Sequence, residues 1–373
     1  MRTMKYYEIN RGTGAAKACF AATHEGQLTG EEGLFWLSSE KLTEGGRKLL
    51  PEPMLCVNTA YGTAEEIEQR LQAMAPLSRK RRVHILALGD VGATVLLGLK
   101  LLGGDCIHTI GICDINEAVV KRYECEMNQM AWPMGYDAMP TVEIVTPDRL
   151  FDCDAFVFCA SKAVPPVGQE GVDVRMVQLE ENRKIVGRFA EQAAEREFRG
   201  MFCVVSDPVD PLCNAAWKAA AGKLWPEQIQ GFGLGVMNAR AAYYAKQDIR
   251  FSSFLTEGRA FGPHGADLVI ANSIDHYDEE LSLELTKLTV EANLKVRELG
   301  FKPYLAPAIS SAAISLILMM RGQWHYSSNF LGGVWMGSRN RTDQQGLMIE
   351  HLPLPEQLYD RIRRAYDNLK KIG

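Results

Sequence analysis

Val83 to Gly103 reads VHILALGDVGATVLLGLKLLG, and this stretch decides the fold. It opens with a short, wholly apolar run, breaks at glycines, and resumes as an apolar segment long enough for a buried helix. A strand, a tight turn and a helix are predicted in that order. The next segment, IHTIGICD, reads as a second strand, and NEAVVKRYECEMNQM as a second helix. The alternation continues through AFVFCA, the polar-faced helix VQLEENRKIVGRFAEQAAERE, and MFCVVSDP. Alternating strands and helices with short connections indicate a parallel sheet covered by helices on both faces.

The turn between the first strand and helix carries chemistry. In ALGDVG, Gly89 and Gly92 occupy the second and third positions of a GxGxxG pattern, Ala87 stands at the first, and Asp90 and Val91 lie between the glycines. Backbone N–H groups at a helix start can receive a pyrophosphate there. Glycine turns between strand and helix are common, so the motif alone is weak. Asp114 strengthens it, ending the next strand twenty-two residues after Gly92, where a carboxylate can accept bonds from ribose hydroxyls. An acid at this place also repels a 2′-phosphate and favours NAD over NADP. The same side chain can cap a helix starting at Ile115. The fold class expected is α/β, a Rossmann-type doubly wound parallel sheet followed by a mixed α+β unit.

Beyond about Gly233 the alternation stops. A helix around Ala239 to Ala245, a turn containing FGPHGAD, a long helix from Asp278 to Leu299, a second apolar helix, paired strands near GGVWMGSRN and GLMIEHLPLP, and a terminal helix are expected. Three regions follow: an N-terminal extension over 1–80, a dinucleotide-binding domain over 81–232, and a substrate domain over 233–373, with the ligand site between the last two. In the extension, TAEEIEQRLQAMA has a capping box from Thr63 to Glu66 and helical spacing at Ile67, Leu71 and Met74.

Bulk composition narrows the classes. The 373 residues are 47% hydrophobic with a formal net charge of -5, which suits a soluble protein of two or three packed domains. The basic run SRKRR abuts an apolar strand rather than forming a tail, so a nucleic-acid role is not expected. Nine cysteines without a CxxC pair read as free thiols in a reducing cytoplasm. No metal site and no membrane segment are expected.

From about Arg82 to its end the chain resembles the lactate/malate dehydrogenase family. The landmarks come in family order: ALGDVGA, CDIN, DAFVFCASKAVPPVG leading into the mobile substrate loop, VRMVQLEENRKI, VVSDPVDPL for the Asn-Pro-Val-Asp segment, GLGVMNAR for Leu-Asp-x-x-Arg, and FGPHGAD for the His-Gly turn. The resemblance implies hydride transfer between the nicotinamide and C2 of a small 2-hydroxy or 2-oxo acid, with NAD as cofactor and assembly as a homodimer or homotetramer. His264 matches the proton-exchanging histidine, and Arg240 the arginine that grips the substrate carboxylate. Arg175 matches the loop arginine that polarises the C2 carbonyl. It precedes Asn182 by seven residues, the family interval. Gly89, Asp90, Val91, Gly92, Asp114 and Ala160 match cofactor-binding positions, and Lys302 falls near a position that shapes the substrate pocket.

Two departures stand out. Met237 occupies the place of the acid that orients the histidine, and Asp207 replaces the asparagine of Asn-Pro-Val-Asp. The expectation is that Asp207 has become the partner of His264, giving a rewired Asp–His pair. Asp267, three residues after His264, is a second and weaker candidate, expected to bond within its own turn or to cap a helix. The loop SKAVPPVGQEGVDVR is about four residues longer than usual and lacks an arginine before Arg175, leaving Lys162 and Gln169 as its polar candidates. Two other readings stay open: an oxidoreductase on a different carbonyl or imine, and a dinucleotide-binding sensor or assembly protein with a decayed catalytic centre.

Overall fold

The computed structural model describes residues 79–162, 174–343 and 346–372, together with Lys5–Ile9, Ala18–Ala22, Leu34, Leu37, Ser38 and Met54–Leu55. The helix expected near Thr63 to Met74 and the loop residues 163–173 lie outside the described residues. Strands β1 (Lys5–Ile9), β2 (Ala18–Ala22) and β3 (Met54–Leu55) form a small sheet of their own.

The main sheet has nine strands. Six come from the alternating region: β4 (Arg81–Leu86), β5 (Ile107–Cys113), β6 (Thr141–Ile144), β7 (Ala155–Phe158), β8 (Met201–Val204) and β9 (Ile229–Gly231). All pair in parallel, in the spatial order β6-β5-β4-β7-β8-β9. That is the 3-2-1-4-5-6 order of a dinucleotide-binding sheet, with its reversal between β4 and β7. The helices between them are α1 (Asp90–Leu102), α2 (Glu117–Asn128), α3 (Val174–Glu195) and α4 (Val209–Ala219).

Burial explains why the strands read as nearly continuous apolar runs. On one face Val83, Ile85, Ile110 and Ile112 pack with Val95, Leu96 and Leu99 of α1. On the other, Phe156, Phe158 and Phe202 pack with Leu179 and Val186 of α3 and Leu212 of α4. Each such side chain contributes roughly 1.5–3 kcal/mol on leaving water.

The second half of the chain does not stop at the edge of this sheet. Helices α5 (Leu234–Ala245) and α6 (Glu279–Glu298, N-capped by Asp278 through the Leu281 amide) frame the hairpin of β10 (Arg259–Phe261) and β11 (Val269–Ala271). A seven-residue π-helical stretch, Pro307–Ala313, runs into α7 (Ile314–Met320). It packs so closely on α1 that a Cβ on Gly98 would lie 2.6 Å from Ala313. Strands β12 (His325–Phe330), β13 (Trp335–Asp343) and β14 (Gly346–Ile349) then join the main sheet antiparallel, Ser328 facing Gly231, before the terminal helix α8 (Glu356–Ile372). The sheet thus crosses the boundary drawn at residues 232 and 233. The expected strands at Trp335 and Gly346 are present. Their partner β12 went unread because HYSSNF is polar in sequence although buried in the fold.

Candidate active site

The reversal point places the loop after β4 beside the end of β7. The loop is wound tightly: Ala87 adopts φ 73°, and a Cβ on Gly92 would fall 1.9 Å from the Ala87 carbonyl oxygen. Only glycine fits at Gly92 without moving backbone. Gly89 is the N-cap of α1, with no side chain to accept from the first-turn amides, and a Cβ there would meet nothing within 4 Å. Uncapped helix amides facing open space are what a pyrophosphate requires.

Asp114 faces the same loop. Its carboxylate accepts from the Leu88 amide at 2.7 Å and the Asn116 amide at 2.9 Å, which fixes it at the strand end with acceptor capacity left for ribose hydroxyls. Helix α2 is capped by Asn116, whose side chain accepts from Ala118 and Val119. The capping role considered for Asp114 therefore belongs to its neighbour. At the end of β7, the Ala160 carbonyl accepts from the Ser206 hydroxyl at 2.7 Å, tying the two strand ends together.

Asn182 of α3 is fully buried. It accepts from the Lys162 amide at 2.9 Å and donates to the Asp207 carbonyl at 2.8 Å. One amide side chain thus sets the distance between the start of the substrate loop and the Asp207 segment. The Lys162 ammonium itself pairs with Glu181 at 2.7 Å. Arg175 lies in the first turn of α3, and its side chain, like Gln169, lies outside the described residues.

His264 sits in the turn of the β10–β11 hairpin. Gly262 begins that turn at φ +90° and donates from its amide to the Gly337 carbonyl of β13 at 2.9 Å, so the turn is moored to the main sheet. The imidazole Nδ1 stands 3.5 Å from Asp207 Oδ1, with the side chains 21% and 60% exposed. That separation is long for a hydrogen bond. Nε2 has no hydrogen-bond partner among the described residues.

Arg240, on α5, completes the group. Burial lowers its pKa from the usual arginine range, opposed by Tyr244 and Asp207. Its Nη1 lies 3.7 Å from the Met237 sulfur, and Met237 is buried in the apolar cluster with Val236, Tyr244 and Phe254. The methionine therefore shapes the floor under the arginine and offers the histidine no proton acceptor.

Two sequence candidates are placed elsewhere. Lys302, 82% exposed, pairs with Asp90 of the glycine loop at 3.1 Å. Asp267 accepts from Asn368 of α8 at 3.1 Å and so fastens the terminal helix. One residue went unread although its segment was recognised: Asp210 in the first turn of α4, 4% exposed. It takes a bond from the Ser328 hydroxyl at 2.5 Å and another from the His264 main chain. Burial pushes its carboxyl up to about 7, against the pull of those two bonds. Among the described residues there is no group of side chains arranged for a metal ion and no helix long and apolar enough to cross a membrane.

Residues 81–231 match the family model described as lactate/malate dehydrogenase, NAD binding domain. Among curated proteins the chain is 26% identical over 188 residues to an L-lactate dehydrogenase of Treponema denticola, covering 50% of this chain and 56% of that one. To a malate dehydrogenase of Sulfurimonas denitrificans it is 25% identical over 272 residues, covering 69% and 81%. Among solved structures it resembles a lactate dehydrogenase from a Medee basin deep-sea metagenome library, with TM-score 0.66, 18% identity and coverage of 79% and 98%. It also resembles a malate dehydrogenase of Archaeoglobus fulgidus in complex with NADH, with TM-score 0.64, 18% identity and coverage of 78% and 98%.

Proposed function

The chain belongs to the lactate/malate dehydrogenase family, with NAD as its cofactor, and from that premise we propose that it moves a hydride between the nicotinamide and C2 of a small 2-oxo or 2-hydroxy acid. The observation that carries the reading is His264 Nδ1 standing 3.5 Å from Asp207, with the half-buried Arg240 near enough to feel the Asp207 charge.

Gly89, Gly92 and the amides of Asp90 and Val91 would hold the pyrophosphate, and Asp114 the adenosine ribose. Ala160 would line the path towards the nicotinamide. Bound NADH supplies the hydride that arrives at C2. Arg240 suits the substrate carboxylate, since its planar guanidinium offers two parallel donors and its burial makes an ionic partner more valuable. His264, protonated, would donate from Nε2 to the C2 oxygen as the hydride arrives, leaving a neutral ring and a 2-hydroxy acid. Asp207 at Nδ1 would stabilise the imidazolium and fix its orientation, the task that Met237 cannot perform. Arg175 would polarise the C2 carbonyl from the substrate loop.

Lys302 was expected near the substrate. Its pairing with Asp90 suits a different role, neutralising a carboxylate that otherwise faces the pyrophosphate. Assembly as a dimer or tetramer in the cytoplasm belongs to the same proposal. The described cysteines are all free thiols, in keeping with a reducing compartment.

The test is NADH oxidation by the purified protein against pyruvate, oxaloacetate, 2-oxoglutarate and branched-chain 2-oxo acids, with NADH binding followed by fluorescence. Turnover that vanishes in His264→Ala while NADH still binds is the expected result. Tight NADH binding without turnover of any of these acids would overturn it. The second reading, a dinucleotide-binding protein without this chemistry or with another carbonyl or imine substrate, would then hold, and Met237 is the observation that favours it.

A further inference from the structure

The buried carboxyl of Asp210 takes no part in the hydride and proton steps above, yet it is built into the site from two sides. The Ser328 hydroxyl of β12 donates to Oδ1 at 2.5 Å, and the main-chain N–H of His264 donates to the same carboxyl. Its place in the first turn of α4 puts it in the favourable field of the helix N-terminus. The packing leaves no slack. A Cβ on Gly233 would lie 3.0 Å from His264 Cβ, and one on Gly231 would lie 2.9 Å from Ser328 Cβ. His264 is thus wedged between a glycine and a carboxyl.

We propose that Asp210 is the positioning residue of His264: it anchors the main chain of the histidine turn and, with Asp207, supplies the negative charge that the imidazolium needs where Met237 has replaced an acid. Asp207 and Asp210 belong to one short segment, so a single stretch of chain grips the histidine twice. Asp207 acts on the exposed edge of the ring and Asp210 from beneath the backbone. A buried carboxyl is costly to keep in place of an apolar residue. Here two donors and a helix terminus recover part of that cost, and its charge lies against one turn.

The charged and titratable groups facing Asp210 are Asp207 in its own segment and Cys213 one turn along α4, while His264 meets it through the main chain. Ser328 on β12 is uncharged. Because burial holds the carboxyl at about 7, the charge it places beneath the histidine turn changes around neutral pH. Ionised Asp210 favours the imidazolium. Neutral Asp210 does not.

The proposal rests on His264 as the acid/base, but its test needs no turnover. The His264 ring is followed by NMR in the NADH-bound protein labelled at histidine, across pH, in wild type, Asp210→Asn and Ser328→Ala. Asp210→Asn keeps an acceptor for the His264 amide and removes the charge. The expected result is a His264 midpoint lower by roughly one pH unit in Asp210→Asn than in wild type. Ser328→Ala leaves the carboxyl present but less stabilised as an anion, and a smaller downward shift is expected. A His264 midpoint unmoved in both variants overturns the proposal. Should Asp210→Asn fail to fold, Ser328→Ala decides alone, and an unmoved midpoint in it has the same meaning. Absence of turnover on the 2-oxo acids with these shifts intact would sink the proposed function and leave the Asp210–His264 coupling standing.

Discussion

The two halves of the main sheet solve different problems with different materials. Around β4, β5 and β7 the interior is aliphatic and aromatic, and the ligand-facing groups are backbone amides, two glycines and one carboxylate. Around β9, β12 and β13 the sheet buries Gln230, His325, Ser327, Asn329, Ser338 and Asn340, and the chemistry is carried by side chains from distant segments. Binding a pyrophosphate needs only a backbone shape, whereas moving a proton needs specific side chains held at set distances. The first is robust to sequence drift, and the second depends on which side chain stands at each place.

The largest effect is expected where His264 meets Asp207. Asp207→Asn removes the charge beside Nδ1 and is expected to lower kcat by about 10²- to 10⁴-fold, on the scale of losing an orienting acid in a serine protease, while the Kd for NADH is unchanged. A rise in activity would mean that Asp207 is a block on substrate choice. At the cofactor end the expected effects are on binding. Gly92→Ala forces a Cβ into the Ala87 carbonyl and should weaken NADH at least about 10²-fold, together with a lower Tm, since strained backbone costs on the order of 1–3 kcal/mol or more. Gly89→Ala meets open space and should leave Tm nearly unchanged while still weakening NADH. Equal Tm losses in the two variants would refute this account of the loop.

The polar half of the sheet should also show itself in pH dependence. Burial lowers the pKa of His325 to about 4, so between about 6.5 and 4 the unfolded chain binds a proton that the folded chain refuses. Stability contributed by neutral His325 is complete above about 6.5 and is lost as pH falls towards 4. In thermal melts the drop in Tm from pH 7.5 to 5 should be smaller in His325→Gln than in wild type. The smallest effect is expected at the Lys302–Asp90 pair, which is exposed and weak by itself. Lys302→Ala should weaken NADH only a few-fold at low salt, with the difference fading as salt screens it. A loss confined to substrate KM would return Lys302 to the substrate pocket.

The cofactor half was legible because its determinants are local. Strand, loop, helix and ribose acid fall within Val83 to Asp114, and apolar runs of strand length sit against helical spacing. The catalytic end was legible only as segments. FGPHGAD, SDPVD and VMNAR each supply a residue of the candidate site, and His264 reaches Asp207 through the hairpin turn that Gly262 moors to β13. The support beneath them was not legible. Asp210 depends on a serine 118 residues away, and Lys302 finds Asp90 across 212 residues. Long-range pairing of β12 with β9 decides the first neighbourhood and packing of the π-helical stretch on α1 the second, and no periodicity within HYSSNF announces that strand. Polar residues there are kept by cross-strand bonds, such as Asn340 to Ser327 at 2.9 Å, that exist only after the sheet has formed.

The antiparallel pairing of Ser328 with Gly231 also bears on what can be exchanged between proteins. Dinucleotide-binding sheets invite modular replacement, because their last parallel strand ordinarily ends at an edge. Here that edge is taken, and the strand that takes it brings the hydroxyl that holds Asp210. A chimera that replaces residues 81–231 with another such domain must offer β12 an edge in the same register and a glycine opposite Ser328. Without both, the transplanted half would be expected to bind its dinucleotide with no ordered histidine to work beside it.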